Sequence, residues 1–221
     1  MPHLLHLDSS ADLTGSRSRA ITAAFAKAWA DRGDDHTVTY RDLHTDPLPR
    51  LSTPVLHWAP RLRAEGETAP AEDEALQQTI LDELLAADVL LVGAPMYNYS
   101  LASTLKTWVD YVHVPGVTTT LDATPSQPLA GRQAVVVTSA GGSYAEGSPT
   151  EDWDHLTPVL QIILGNALGM VVTVISTELT LASRIPDLAP QIPHSEALFN
   201  AALDQATALG ATIEAAKPPS V

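Results

Sequence analysis

The sequence predicts an α/β protein: five parallel strands in a doubly wound sheet with helices on both faces, three layers in all. Three observations predict it. Short apolar runs alternate along the chain with longer stretches whose apolar residues recur at helical spacing. Runs such as Val89-Leu90-Leu91-Val92 and Ala134-Val135-Val136-Val137 are apolar at every position, as strands covered on both faces require. The loop after the first of these runs, Ala94-Pro95-Met96-Tyr97-Asn98-Tyr99-Ser100, carries two tyrosines and an asparagine where a plain connector carries small residues. Crevices at the carboxyl ends of strands are where open α/β sheets bind ligands.

The elements follow in order. Residues 2–7 are mostly apolar and stop at Asp8-Ser9-Ser10, which suits a central first strand. From about Ser18, the apolar positions Ile21, Ala24, Phe25, Ala28 and Trp29 mark one face of a helix ending near Gly33. Thr37-Val38-Thr39-Tyr40 alternates with polar neighbours, as a strand nearer a sheet edge does. Residues 44–70 hold too many prolines and glycines for a regular element and form a long excursion, expected either to shape a pocket mouth or to be mobile. Residues 72–87 give the next helix, with Glu72-Asp73-Glu74 suited to its positive N-terminus.

The third strand covers residues 89–93. Pro95 lacks a backbone donor and forces the chain out of the sheet there. A helix over 101–113 follows, with Leu105, Trp108, Val109 and Val112 at helical spacing, and Pro115-Gly116 stops it. Residues 118–128 are β-branched and proline-bearing, residues 133–139 are the fourth strand, and 139–144 are a Ser/Gly-rich loop. A largely apolar helix over 156–168, a fifth strand over 171–175 and an Ala-rich helix over 194–216 complete one domain of residues 1–216, with 217–221 as a tail. Alternating strands and helices imply right-handed crossovers. The expected strand order is 2-1-3-4-5, that of a flavodoxin-like sheet, whose switch point puts the loops after strands 1 and 3 side by side.

Composition narrows the function. A chain of 221 residues that is 45% hydrophobic and 17% charged can bury one good core and is not disordered. There is no cysteine, so thiolate nucleophiles and thiolate metal sites are excluded and redox chemistry has to come from a cofactor. A net charge of −14 without clustered Lys and Arg argues against nucleic-acid binding. No apolar run has membrane-spanning length and the N-terminus is not of signal type, so a soluble, cytoplasmic protein without a membrane partner is expected. The eight histidines show no ligand spacing, and no metal is expected.

Three loops would converge at the strand ends. Ser9-Ser10 with Gly15-Ser16-Arg17-Ser18 combines hydroxyls, backbone N–H groups, a helix N-terminus and a full positive charge, which suits a phosphate better than a simple N-cap does. Neither a Walker lysine motif nor G-x-G-x-x-G is present. Residues 95–99 offer backbone amides, the Asn98 amide and aromatic faces to a flat heteroaromatic ring. Ser139-Ala140-Gly141-Gly142 lets backbone approach a ligand closely.

Ala-Pro-Met-Tyr-Asn-Tyr at 94–99, followed by Leu105-Lys106 and Asp110, resembles the flavin loop and helix of the FMN-dependent NADH-azoreductases, a quinone reductase family with a flavodoxin-like fold. The resemblance runs from Leu7-Asp8-Ser9-Ser10 through Ser16-Arg17-Ser18 and Gly116-Val117-Thr118 to Thr138-Ser139-Ala140-Gly141-Gly142. It implies that Ser10, Ser16, Arg17 and Ser18 hold the FMN phosphate, that Pro95, Met96, Tyr97, Asn98 and Tyr99 lie along the isoalloxazine ring, and that Ser139, Ala140, Gly141 and Gly142 meet its pyrimidine edge, with Tyr144 able to close over it. It further implies a homodimer whose partner subunit completes the pocket. The implied reaction is ping-pong hydride transfer from NADH or NADPH through the flavin to a small aromatic or quinonoid substrate, a quinone or azo compound, with no catalytic side chain needed.

The chain departs from that family in its aromatics. It has only two phenylalanines, Phe25 and Phe199, and Thr119-Thr120 stand where an aromatic is expected near the flavin; Trp58 could substitute. A specialised flavoenzyme for a biosynthetic intermediate and a non-enzymatic FMN electron carrier are therefore alternatives. Gly141-Gly142-Ser143-Tyr144-Ala145 also approaches the nucleophile elbow of a serine hydrolase, though its last residue is not glycine.

Overall fold

The computed structural model describes residues 1–120 and 127–215. Strands β1 (His3–Asp8), β2 (Thr37–Asp42), β3 (Val89–Pro95), β4 (Gln133–Ser139) and β5 (Val171–Thr177) form one sheet in the order β2-β1-β3-β4-β5. Every neighbouring pair is parallel. The fold class, strand number and order expected from the alternation are the ones observed. Residues 121–126, most of the β-branched stretch, lie outside the described residues, as do Ala216 and the expected tail.

Helices α1 (Arg17–Ala30) and α5 (Ile192–Thr212) cover one face of the sheet, and α2 (Ala71–Ala86) and α3 (Ser103–Val112) cover the other. Because consecutive side chains on a strand point to opposite faces, β1 feeds both cores: Leu4 packs with Ile21, Phe25 and Trp29, while Leu5 and Leu7 pack with Ile80, Leu84 and Trp108. Helices α1 and α5 meet at Gly210, where a Cβ would lie 2.4 Å from the Phe25 carbonyl oxygen. Only glycine allows that approach.

The helix expected over 156–168 differs in form. One α-helical stretch, α4 (Thr157–Leu160), runs directly into a π-helix over Gln161–Ala167. Leu156, Leu160, Leu164 and Leu168 are all buried at a spacing of four residues. In an α-helix that spacing drifts by roughly 40° per step, and the wider π winding keeps the row against the core.

The 44–70 excursion is packed. It carries two 3-10 turns, Pro54–His57 and Pro60–Leu62, and buries Leu56 and Ala59. The Gln77 amide donates to the carbonyls of Leu56 at 2.8 Å and Tyr111 at 3.2 Å, and Arg63 pairs with Glu74. Among the described residues no helix is long and apolar enough to cross a membrane.

Candidate functional site

The loops after β1, β3 and β4 converge, and a fourth, after β5, joins them. Together they enclose a cleft of about 620 Å³, lined from the first loop and the start of α1 by Ser10, Asp12, Gly15, Ser16 and Arg17. Pro95, Met96 and Tyr97 line it from the second loop, Ser139 and Gly141 from the third, and Thr180, Leu181, Ser183 and Arg184 from the fourth.

Adjacent strands β1 and β3 bring their loops into contact. Ser9 bonds through both its N–H (3.2 Å) and its hydroxyl (2.8 Å) to the Gly93 carbonyl. The Tyr97 hydroxyl accepts the Ala11 N–H at 2.9 Å and lies 3.3 Å from the Ser10 hydroxyl. Tyr97 is thus a strut between the two loops. Across the other edge, the Met96 N–H donates to the Ser139 carbonyl at 2.8 Å.

Beyond Tyr97 the chain turns back on itself. Tyr97 and Ser100 exchange backbone bonds of 3.0 and 3.1 Å, and the two residues between them, Asn98 and Tyr99, have φ of 49° and 71°. Two successive left-handed residues make a type I′ turn, which Asn tolerates and Tyr adopts at a cost of about 1–2 kcal/mol. The Tyr99 ring leaves the cleft for an edge contact with Trp153 at 5.4 Å and a looser one with Tyr144 at 6.5 Å. Burial, with Tyr99, Asp154 and Glu178 nearby, pushes the Tyr144 phenol upward, so it stays neutral.

After the first loop, the Ser16 hydroxyl caps α1 by accepting the Arg19 N–H and shares a 3.1 Å hydrogen bond with the buried Ser18 hydroxyl. The Asp12 carboxylate accepts the N–H groups of Gly15 (2.8 Å) and Thr14 (3.0 Å), which hold it below the usual carboxylate range and shape the loop. Arg17 faces α5. It donates to the Ser195 carbonyl (2.8 Å) and hydroxyl (2.9 Å), pairs with Glu196 (2.5 Å) and lies over the Phe199 ring.

The structure therefore brings together Ser10, Ser16, Arg17, Pro95, Met96, Tyr97, Ser139 and Gly141 of the expected residues. Ser18, Asn98, Tyr99, Ala140, Gly142 and Tyr144 stand behind or beside the lining. The fourth loop is what sequence reasoning missed. It is laced to the third by Thr180 N–H to the Ala140 carbonyl (3.0 Å), Leu181 N–H to that of Gly141 (3.3 Å) and Leu179 N–H to that of Gly142 (3.1 Å). A Cβ on Gly141 would sit 2.7 Å from the Leu181 side-chain tip, so the leucine rests directly on the glycine backbone. The available signal was position, since residues 178–185 also follow a strand.

Two further expectations resolve. Trp58 is partly exposed beside a separate cleft of about 160 Å³, with Pro60, Arg63, Gln77 and Val117, and does not wall the main one in its own chain. The Ser143 hydroxyl donates to Glu178 at 2.7 Å, and no hydrogen bond joins it to a histidine among the described residues, so the hydrolase elbow is absent.

A family profile described as a flavodoxin-like fold matches residues 2–211. A curated relative from Kineococcus radiotolerans, named FMN-dependent NADH:quinone oxidoreductase, is 57% identical over 213 residues, covering 96% of this chain and all of the relative. The chain belongs to the FMN-dependent NADH:quinone oxidoreductase family. Another family member of that name, from Streptomyces coelicolor, is 38% identical over 91% of this chain and 94% of its own. Among solved structures, an azoreductase from Bacillus anthracis Sterne superposes with a TM-score of 0.77 at 20% identity, over 96% of this chain and 99% of the other. An FMN-dependent NADH-azoreductase from the Ames Ancestor strain, in complex with FMN, gives 0.75 at 19% identity over 95% and 100%. At those identities the likeness concerns the fold.

Proposed function

We propose that this protein is an FMN-dependent oxidoreductase that takes a hydride from NADH or NADPH and delivers it, with a proton, to a quinone or an azo compound. The observation that carries the proposal is the four-loop cleft at the switch point of the sheet, in a chain 57% identical over nearly its full length to a relative named for this reaction.

The residues present fit FMN. The cleft has the donor set of an anion site: the Ser10 and Ser16 hydroxyls, the guanidinium of Arg184, and the positive N-terminus of α1. The rest of the lining is mixed, with Pro95, Met96 and Leu181 for an apolar ring and Ser139 with the Gly141 backbone for a polar edge. A volume of about 620 Å³ falls in the range of roughly 300–1,000 Å³ usual for such ligands. The chemistry supplied by FMN bound there is two-electron hydride acceptance and donation, which needs no acid or nucleophile from the protein. The chain's own contribution is to hold, orient and partly desolvate. Tyr97 fixes the second loop to the Ser10 loop, and the third and fourth loops are laced to each other.

The proposal extends to a homodimer in the cytoplasm. The partly exposed aromatics Tyr97, Tyr99, Trp58 and Trp153 support a pocket completed by a second subunit, and light scattering tests it by showing twice the chain mass. The visible spectrum with added FMN, followed by steady-state NADH oxidation with a quinone, tests the activity. After removal of unbound FMN by gel filtration, protein-bound flavin bands that bleach with NADH and recover with quinone are expected; no flavin eluting with the protein refutes the reading. Bands with turnover only in the presence of a partner reductase would identify a carrier instead.

A further inference from the structure

We infer that Arg184, and not Arg17, is the guanidinium that meets the phosphate of the bound flavin, and that Arg17 serves to hold the loop presenting it. The inference rests on the FMN reading above and changes the residue that local sequence had assigned.

Arg17 is already engaged. One terminal nitrogen donates to both oxygens of Ser195, the other pairs with Glu196, and its face covers Phe199. Turning toward an anion in the cleft would break these contacts and leave the Ser195 carbonyl and the Glu196 carboxylate without them. Ser195 in turn is buried and bonds the carbonyl of Leu179 at 2.9 Å. Leu179 has φ of 58° and starts the loop that carries Thr180, Leu181, Ser183 and Arg184 to the cleft. Arg17 and Ser195 together therefore clamp the base of the fourth loop. They set where Arg184 stands.

Arg184 is in the opposite situation. Its side chain lines the cleft, and among the described residues it has no hydrogen bond or ion pair. It lies close enough to Asp12 to favour that carboxylate's ionised form. Asp12 belongs to the turn whose Gly15 and Ser16 lead into α1, and Arg184 lines the same cleft as that turn and the Ser10 and Ser16 hydroxyls. An uncommitted guanidinium in one cleft with those donors completes a phosphate site with two parallel N–H groups, the arrangement that suits a phosphate monoester. It also offsets the negative charge of Asp12, which otherwise opposes a dianion.

Comparing FMN with riboflavin isolates the phosphate, because the two differ there alone. Fluorescence titration of both flavins is measured for the wild type, Arg184→Met, Arg184→Lys and Arg17→Met, with thermal melts of each apoprotein. The wild type is expected to prefer FMN, and Arg184→Met to lose about tenfold or more of that preference, while riboflavin affinity holds. Arg184→Lys falls between, keeping charge without the fork. Added salt weakens FMN binding more in the wild type than in Arg184→Met. Arg17→Met melts lower and loses less of its preference for FMN over riboflavin than Arg184→Met does. A wild-type FMN-to-riboflavin ratio in Arg184→Met overturns the inference. So does loss of that ratio in Arg17→Met with an unchanged melt. A rise confined to the KM for NADH in Arg184→Met also overturns it and moves the arginine to the donor. A wild type that binds neither flavin overturns the flavin reading and this assignment with it.

Discussion

Replacing Arg19 with methionine should lower the melting temperature by about 10 °C near neutral pH and remove much of the protein's acid sensitivity. Arg19 lies in the first turn of α1, largely buried, and its guanidinium binds the Asp42 carboxylate through two 2.8 Å bonds. It also donates twice to the Ser10 carbonyl, at 2.7 and 3.2 Å, and once to the Tyr40 hydroxyl at 3.1 Å. Methionine keeps much of the apolar stem and removes every one of these bonds. Asp42 is not orphaned, because the N–H groups of His44 and Thr45 still reach it. The Ser10 carbonyl loses both of these donors. A charge-assisted pair contributes about 1.5–3 kcal/mol and an unsatisfied carbonyl costs about 1–3, so a loss of about 3 kcal/mol is expected after discounting partial exposure. In a chain of this size that corresponds to roughly 2–4 °C per kcal/mol.

The pH dependence has a definite sign. Burial opposes ionisation of Asp42, but the Arg19 hydrogen bond and the two loop N–H groups outweigh it and hold the carboxyl well below its usual range. A depressed carboxyl contributes stability above its unfolded value, about 3.9, which is lost as pH falls toward the folded value. Differential scanning fluorimetry from pH ~7 to pH ~3 should therefore show the gap between wild type and Arg19→Met closing on the acid side. A gap that stays constant through that window, or a variant melting within about 2 °C of wild type at pH ~7, would refute the reasoning.

Tyr97→Phe removes the acceptor of the Ala11 N–H and the neighbour of the Ser10 hydroxyl, so FMN affinity measured by fluorescence should fall about fivefold, whereas an unchanged Kd would mean the strut is dispensable. Gly210→Ala should destabilise by about 2 kcal/mol in denaturant melts even though alanine favours helix, because a Cβ there meets the Phe25 carbonyl oxygen at 2.4 Å; equal or greater stability would show that α1 and α5 can separate freely. Burial, then Asp8 and Asp42, push the Tyr40 phenol up to about 12. Its neutral form therefore supports the fold below the unfolded value of about 10, and that support is lost as pH rises through the folded one. Tyr111 and Tyr144 are pushed upward too, so phenolate absorbance in the wild type should show late-titrating tyrosines whose amplitude Tyr40→Phe reduces by one residue, and an unchanged late amplitude in the variant would contradict this.

Most of the site was legible because it follows from topology. The fully apolar runs at β3 and β4, the semi-alternating β2 and the spacing of Ile21, Phe25 and Trp29 each report local burial, and their alternation with an apolar first strand favours the order 2-1-3-4-5 among the doubly wound ones. That order alone predicts that the loops holding Ser10, Met96 and Gly141 meet. Asn98 and Tyr99 were legible only as residue types. Their positive φ values arise from closing a two-residue turn between Tyr97 and Ser100, and the Tyr99 ring then finds Trp153 more than fifty residues away. Residues 178–185 read as an ordinary connector after an edge strand, since nothing local marks their bonds to residues 140–142.

By itself the sequence determined the five strands, the expected order, the end of the sheet at which the cleft opens, and the family. These depend on periodic burial and on connection handedness, both of which are written in short windows of residues. Tertiary structure decided which side chains face the cleft. Arg17 and Ser195 are 178 residues apart, yet their contact turns one arginine toward α5 while Arg184 comes from another loop to line the site. Two guanidinium groups are alike in sequence, and only the partners that folding supplies distinguish the one tied to α5 from the one whose side chain lines the cleft.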